Sequence, residues 1–341
     1  MLLPASLLRR RAVAAAALLA LTTLAACDNV TDPPRLAEGE FTVDASGSWR
    51  YVSLSDSAIV APTAPRASSA WDVAFFSTNV TLNGGQAGPG DVTGYCVCQN
   101  AGATDAQFLA MTPESELSDF SAVTAVPAGA TFSAEVLTPA MVGWYTGSAA
   151  APVADPARVF LVRLSDGTSY AKVHVTSLAP GAGGFASVAL EYAVQSSATA
   201  AFGPTATITL TPAQPAVDLN SGSATASLTD WDIRLDGTNL LVNSGVSGSG
   251  SAAVADGTAS FAATTTAVTQ PQAYRNDRYS GVFGTSPWYR YNLAGDNRIT
   301  PTFDVYLLKR GSAVYKLQIL SYYSVSGAPR NITFRYQQIA E

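Results

Sequence analysis

The chain has 341 residues and a formal net charge of −6, and only 13% of its residues are charged. Its 19 lysines and arginines are outnumbered by 25 aspartates and glutamates and form no basic stripe, which excludes nucleic acid as a partner. The length suits about two domains of ordinary size.

The N-terminal segment predicts export and a lipid anchor. Arg9, Arg10 and Arg11 precede an apolar run that is too short to span a bilayer and ends in Leu-Ala-Ala-Cys at Cys27. Small residues before a cysteine favour cleavage by a lipoprotein-type peptidase once the sulfur is acylated. We predict a lipoprotein signal peptide over 1–26 and a tether over 27–40. The alternative is an ordinary signal peptide with an incidental cysteine.

Two features of the remaining sequence repeat. An opener strand, Trp71-Asp72-Val73-Ala74-Phe75, recurs 160 positions later as Trp231-Asp232-Ile233-Arg234-Leu235. A closing hairpin centred on Lys172 recurs 144 positions later around Lys316. A repeat of this length predicts two copies of one structural unit, and we place the modules at 41–197 and 204–341. The difference between the offsets predicts an insertion in the middle of the first copy.

Strands are predicted nearly throughout both copies. Polar and apolar residues alternate in 49–54 and 205–210, and in both closing hairpins, whose turns are predicted at 180–184 and 326–329. Few windows show a helical period. The predicted fold class is therefore all-β, with each copy an antiparallel β domain.

Several segments resemble the HmuY family of bacterial haem-binding lipoproteins. They are the Trp-Asp-Val-Ala-Phe opener with the Asn-Gly-Gly turn at 83–85, the Trp-Tyr-Arg-Tyr-Asn segment at 288–292, and the closing strands at 315–323 and 332–336. The resemblance implies two tandem all-β modules at the cell surface that carry haem to an outer-membrane uptake receptor. It also implies two axial iron ligands, both histidine or both methionine, about thirty residues apart between opener and closing hairpin.

Methionine fits this implied spacing, whereas a histidine pair is impossible. Met111 and Met141 lie 30 positions apart in the first copy and are the only methionines after Met1. Soft thioether ligands favour ferrous haem, and Phe108, Trp144 and Tyr145 could contact the porphyrin. The alternative is that both methionines fill gaps in the core.

The single histidine, His174, lies within a closing strand, and Gln318 occupies the matched position in the second copy. A cross-strand or solvated role is the simpler interpretation, and iron ligation is the alternative. The second copy has no Met, His or Cys after Trp231, but its 274–279 segment offers tyrosines and arginines that could form a haem site. The simpler interpretation is that this copy is a structural or partner-binding platform.

Cys96 and Cys98 lie inside the insertion of the first copy. Two cysteines separated by one residue need a turn before they can form a disulfide, which export would favour. A metal or haem-thiolate role is the alternative.

The sequence contains no nucleophile elbow, phosphate loop or histidine pair, so we do not predict an enzyme. The predicted function is that of a lipid-anchored haem-binding protein for iron acquisition, exported to the cell envelope and located at the outer membrane or cell surface rather than the inner membrane. The alternative is a surface lipoprotein that keeps this fold as an adhesion or interaction scaffold without haem.

Overall fold

A computed structural model describes residues 39–340 except 149, 228 and 268–272. The described residues fall within one compact unit, Pro34–Glu341. The predicted signal peptide, Cys27 and most of the tether lie outside the described residues, and the first strand begins at Gly39, just before the predicted end of the tether. No helix in the described part is long and apolar enough to cross a membrane.

The first copy contributes short strands, two short helices and a long closing hairpin. Its strands are β1 (Gly39–Asp44), β2 (Arg50–Ser53), β3 (Ala58–Val60), β4 (Val73–Phe76), β5 (Asn79–Leu82), β6 (Thr93–Cys96), β7 (Leu137–Thr138), β8 (Tyr145–Ser148), β9 (Ala151–Ala154), β10 (Val159–Arg163), β11 (Tyr170–Gly181) and β12 (Gly184–Gln195). Its helices are α1 (Asp105–Ala110) and α2 (Leu117–Ala122), and a 3-10 turn covers Pro65–Ala67.

The second copy follows the same order with one very short helix, α3 (Val282–Thr285). Its strands are β13 (Ala206–Leu210), β14 (Ala216–Asp218), β15 (Ser223–Thr225), β16 (Ile233–Asp236), β17 (Asn239–Val242), β18 (Ala253–Asp256), β19 (Arg278–Tyr279), β20 (Tyr289–Tyr291), β21 (Ile299–Pro301), β22 (Val305–Arg310), β23 (Ala313–Tyr323) and β24 (Pro329–Ile339).

Every pairing between these strands is antiparallel, which confirms the all-β prediction. The alternation of polar and apolar residues in the sequence corresponds to an alternation of exposed and buried side chains in the strands. In β1, Phe41 and Val43 are buried while their neighbours in the strand are exposed. The predicted turn at 180–184 reverses the chain between β11 and β12, where Gly183 has a φ of +78° that suits glycine.

The two large sheets exchange strands between the copies. One sheet has the order β1-β24-β23-β22-β6, so β22 and the closing hairpin of the second copy lie between two strands of the first. The other has the order β13-β12-β11-β10-β18, so β10 and the closing hairpin of the first copy lie between two strands of the second. The sheets therefore cross the boundary between the modules at 41–197 and 204–341, whose bounds stay a prediction.

The hydrophobic cores follow the same exchange. One core joins opener residues of the first copy to the second hairpin, and Phe75 stacks on Phe334 with ring centroids 5.1 Å apart. The other core joins the first hairpin to opener residues of the second copy, including Val173 and Ile233. Because the two hairpins share the same alternation, that pattern alone does not determine which opener each hairpin covers.

The aspartates of the two Trp-Asp openers hold this exchanged arrangement together. Asp72 accepts the Leu54 N–H, next to β2, at 2.6 Å and pairs with Arg310, at the end of β22, at 2.7 Å. Asp232 accepts the Leu219 N–H, next to β14, at 2.8 Å and the Ser165 N–H, in the turn between β10 and β11, at 2.7 Å. Both carboxylates are buried, so loss of either would leave buried donors without partners.

Candidate ligand-binding groove

A cavity of about 740 Å³ opens where the two copies meet. Its walls come from the segments between opener and closing hairpin in both copies, 138–142 and 274–278, together with Trp49, Val246 and Tyr289. The volume falls within the range of about 300–1,000 Å³ typical of small-molecule sites. We call this cavity the inter-copy groove.

Aromatic side chains form much of the apolar lining of the inter-copy groove. Trp49 precedes β2 and packs on Phe76 with ring centroids 5.7 Å apart. Tyr289 begins β20 and meets Trp288 edge-on at 5.1 Å. Tyr274 lines the groove from the second copy. Trp49, Tyr289 and Tyr274 are all half-buried, so part of each ring stays accessible to a flat apolar ligand.

Two guanidinium groups give the groove a positive wall. Arg275 is fixed by a bidentate pair with Asp256, at 2.7 and 3.1 Å, and by a bond from its Nε to the Ala140 carbonyl at 3.0 Å. Arg278 is exposed, and its guanidinium makes no hydrogen bond or ion pair to any other described residue. Arg278 is therefore the cation that is free to meet an anionic ligand group.

Asp277 anchors one wall of the groove from within. Its carboxylate accepts the backbone N–H of Ala140 at 2.7 Å and that of Val242 at 2.9 Å. Burial raises the pKa of Asp277, and these hydrogen bonds oppose the rise. The carboxylate thereby joins the groove segment of the first copy to β17 of the second.

Glu135 makes the reciprocal connection. It accepts the Leu82 N–H of the first copy at 2.9 Å and the Gly281 N–H of the second at 2.7 Å. Burial raises the pKa of Glu135 too, against the effect of both backbone bonds. Since β7 also pairs with β19 between these two carboxylates, the floor of the groove is fixed before any ligand binds.

A comparison with protein families bears on the first copy. Residues 45–192 match the family model described as HmuY protein. Over these residues the chain is similar to the HmuY family. No curated protein matches the chain.

Three solved structures resemble this chain at low identity. A candidate lipoprotein from Bacteroides fragilis is 12% identical with a TM-score of 0.33, covering 87% of this chain and 86% of its own. A candidate HmuY-like haem-binding protein from Bacteroides vulgatus is 10% identical at 0.35, covering 87% and 89%. The apo form of a HmuY analogue from Tannerella forsythia is 9% identical at 0.29, covering 91% and 100%. At these TM-scores the likeness carries no argument about this chain.

The two methionines implied by the HmuY resemblance have different surroundings in the structure. Met141 is 1% exposed, packs in the core of the first hairpin and forms a β-bridge with Leu240. Its neighbours Ala140 and Val142 line the groove, while Met141 belongs to the core. Met111 ends α1, is half-buried, and packs against none of the buried clusters of the described residues. Met141 is therefore placed as a core methionine.

The aromatic residues expected beside the iron are also dispersed. Trp144 is 2% exposed and packs edge-on against Tyr145 at 4.6 Å and Phe185 at 5.3 Å, so its ring has no free face for a porphyrin. Phe108 is buried in α1 beneath the guanidinium of Arg290, 5.4 Å from the ring centroid. These three predicted contacts do not line the inter-copy groove.

His174 has both ring nitrogens engaged. Nδ1 lies 2.7 Å from the Pro156 carbonyl, Nε2 lies 2.6 Å from the Glu191 carboxylate, and the ring stacks on Phe261 at 4.4 Å. Glu191 is its register partner on β12, so His174 occupies a cross-strand role. The residue is buried rather than solvated, because Phe261 covers that face of the sheet.

Cys96 and Cys98 form a disulfide with 5.0 Å between their Cα atoms. Cys98 adopts a left-handed backbone with a φ of +53°, which turns the chain at the end of β6. That turn brings together two side chains that would lie roughly 7 Å apart on an extended strand. These two cysteines therefore cannot bind a metal ion as thiolates while the disulfide is intact.

Sequence reasoning reached one wall of the groove and missed the others. The tyrosines and arginines of 274–279 are ligand-binding candidates from the sequence, and this segment forms the positive wall of the groove. Trp49 and Tyr289 had no such signal, because each was interpreted only as part of an alternating strand or of the family resemblance. Their approach depends on the exchange of strands between copies, which the alternation does not encode.

Proposed function

We propose that this chain is an exported, lipid-anchored haem-binding protein of the HmuY family, and that haem binds in the inter-copy groove. The observation that carries this proposal is the combination, in a cavity of about 740 Å³, of half-buried aromatic rings with an unpaired guanidinium. Haem presents a flat apolar face and two propionates, which such a lining complements through ring stacking and Arg–carboxylate pairing.

The HmuY match over residues 45–192 supports haem as the ligand. The anchor at Cys27 supports a position in the cell envelope, where haem would be taken up and passed to an outer-membrane receptor for iron acquisition. Both the anchor and the receptor belong to the proposal.

The groove offers oxygen ligands for the iron rather than the thioethers of Met111 and Met141. Three tyrosines lie along the groove and the small cavities that continue it, Tyr274, Tyr279 and Tyr289. Tyrosine ligates haem iron in some proteins. Burial raises the pKa of Tyr279, which disfavours its phenolate. The Tyr274 hydroxyl already donates to the Ala267 carbonyl, so Tyr289 is the preferred candidate, and the methionine pair is the competing proposal.

A haem titration followed by visible absorption tests the proposal. Arg278→Gln removes the free cation and is expected to weaken haem binding by about tenfold or more, since a hydrogen bond to a charged group contributes about 1.5–3 kcal/mol. Trp49→Leu removes a stacking surface and is expected to weaken binding to a similar extent. Arg298→Gln is the matched control, because Arg298 is another exposed arginine, stacked on Tyr323 outside the groove, and its loss should leave affinity unchanged.

The thioether alternative is tested in the same titration. Met111→Leu and Met141→Leu conserve volume, so a change in the spectrum of reduced haem would come from a lost ligand. Our proposal predicts unchanged spectra for both. Loss of the spectrum on either methionine change, with Arg278→Gln binding normally, would place haem between the methionines. Absence of any haem binding by the intact protein would favour the scaffold function.

A further inference from the structure

The Cys96–Cys98 disulfide has a carboxylate beside it. The two sulfur atoms and one carboxylate oxygen of Asp304 all lie within 4.8 Å of one another. Both cysteines are half-buried, so a small reductant can reach them, whereas Asp304 is only 7% exposed. Two sulfurs and one carboxylate oxygen are ligand types that Zn²⁺ accepts in proteins.

Backbone and amide hydrogen bonds hold this group together independently of the disulfide. The Val97 N–H donates to the Val305 carbonyl at 2.9 Å. Asn100 donates its N–H to Asp304 Oδ1 at 3.1 Å and its side-chain amide to the Thr302 carbonyl at 2.9 Å. The turn bearing the cysteines therefore stays attached to the segment bearing Asp304 when the sulfur–sulfur bond opens.

The matched positions in the other half of the molecule hold a different pair of groups. Cys96 and Asp256 are equivalent positions, since they are 160 residues apart. Asp304 and Arg158 are equivalent too, because β22 pairs with β6 in the same register in which β10 pairs with β18. Arg158 and Asp256 form an ion pair at 2.9 Å. These two positions therefore lie close together in both halves of the molecule. In one half an arginine faces an aspartate, and in the other the cysteines face a carboxylate.

Asp304 has no cationic partner at salt-bridge distance among the described residues, although Arg290 is near enough to lower its pKa. Burial is the largest influence on its carboxyl group and raises its pKa, while the Asn100 N–H fixes one oxygen. A carboxylate oriented by a backbone donor and not held in a salt bridge is arranged as metal-ligating carboxylates commonly are.

We propose that Cys96, Cys98 and Asp304 form a redox-gated site for Zn²⁺. A dithiol reductant opens the site: the Cys96–Cys98 bond breaks, the reductant closes its own disulfide, and its two protons pass to the cysteine sulfurs. Zn²⁺ binding then displaces these protons, so that two thiolates and one carboxylate hold the ion and a fourth position stays open to water. The sulfurs separate to about 3.8 Å, as tetrahedral Zn–S bonds of about 2.3 Å require.

The test uses Co²⁺ as a coloured substitute for Zn²⁺, in a Cys27→Ser background so that only two thiols remain. The protein is reduced with dithiothreitol, desalted without oxygen and titrated. We expect one Co²⁺ per chain with thiolate-to-cobalt charge-transfer absorption, reversed by Zn²⁺, and no such absorption in the oxidised protein. Asp304→Asn should weaken binding by about tenfold or more while retaining the thiolate bands, and Asp256→Asn, at the position that matches Cys96 in the other half, should have no effect.

Absence of thiolate bands in reduced protein, with two free thiols counted and the β-type circular dichroism spectrum intact, would overturn the proposal without any variant. Equal affinity in Asp304→Asn would overturn the carboxylate's role, and equal binding by the oxidised protein would overturn the gate. Haem titrations do not enter this test, so it stands apart from the proposed haem site.

Discussion

The exchange of strands between the copies predicts that neither copy is stable alone. Cutting the chain between 197 and 204 separates each opener from the hairpin that covers it. In the fragment 204–341, Ile233, Leu235, Leu240 and Val242 lose the first hairpin, against which they are buried to at least 95% in the intact chain.

The cost of this separation is comparable to the whole stability of a domain. Burial of a large apolar side chain contributes about 1.5–3 kcal/mol, so exposure of these four residues costs up to about 6–12 kcal/mol. Domains are stable by about 5–15 kcal/mol in total. The same loss applies in the other fragment, where Val73 and Phe75 lose Phe334 and its neighbours.

The assay is to express 39–197 and 204–341 separately and to measure circular dichroism and size-exclusion profiles of each fragment and of an equimolar mixture. Each fragment alone is expected to be largely unfolded or aggregated, and the mixture to gain β structure and elute as a one-to-one complex. A fragment 204–341 that unfolds cooperatively by itself, with a midpoint unchanged by addition of the other fragment, would refute the exchanged topology.

Three further predictions follow from individual residues. Because burial raises the pKa of Asp277, the folded state binds a proton more readily than the unfolded state, and this group's contribution to stability falls as pH rises from about 4. In thermal melts the stability of Asp277→Asn should therefore increase relative to that of the wild type between pH 4 and pH 7. A difference in stability that stays constant over this range would contradict this. Met141→Ala should lower the free energy of unfolding by about 2–5 kcal/mol in urea titrations, whereas Met111→Ala should change it little, and equal effects would contradict the core placement. Cys27→Ala should abolish palmitate labelling and detergent partitioning in cells, and persistent labelling would rule out the anchor.

Much of the fold could be predicted from the sequence because strand signals are local. Alternation gives the exposed and buried faces of β1, and the glycine-containing turns mark where the closing hairpins reverse. The repeat offsets locate equivalent strands correctly, since Thr93 and Ala253 begin β6 and β18 at the same 160-residue interval. The pairing partner of each hairpin could not be predicted, because two near-equivalent hairpins offer similar apolar faces to either opener.

The candidate site was less accessible to sequence reasoning for the same reason. Residue spacing suggested that Met111 and Met141 share a site, but one lies in a core and the other at a helix end. The groove instead depends on the contact between 138–142 and 274–278, which are far apart in the chain and carry no common motif. The buried carboxylates Glu135 and Asp277 that fix this contact resemble ordinary polar loop residues in the sequence.

The structure of the protein with haem bound tests the central claim most directly. We predict electron density for the porphyrin in the inter-copy groove, with its face against Trp49 or Tyr289 and a propionate at the Arg278 guanidinium. Porphyrin density between Met111 and Met141, with the groove left open, would contradict this account.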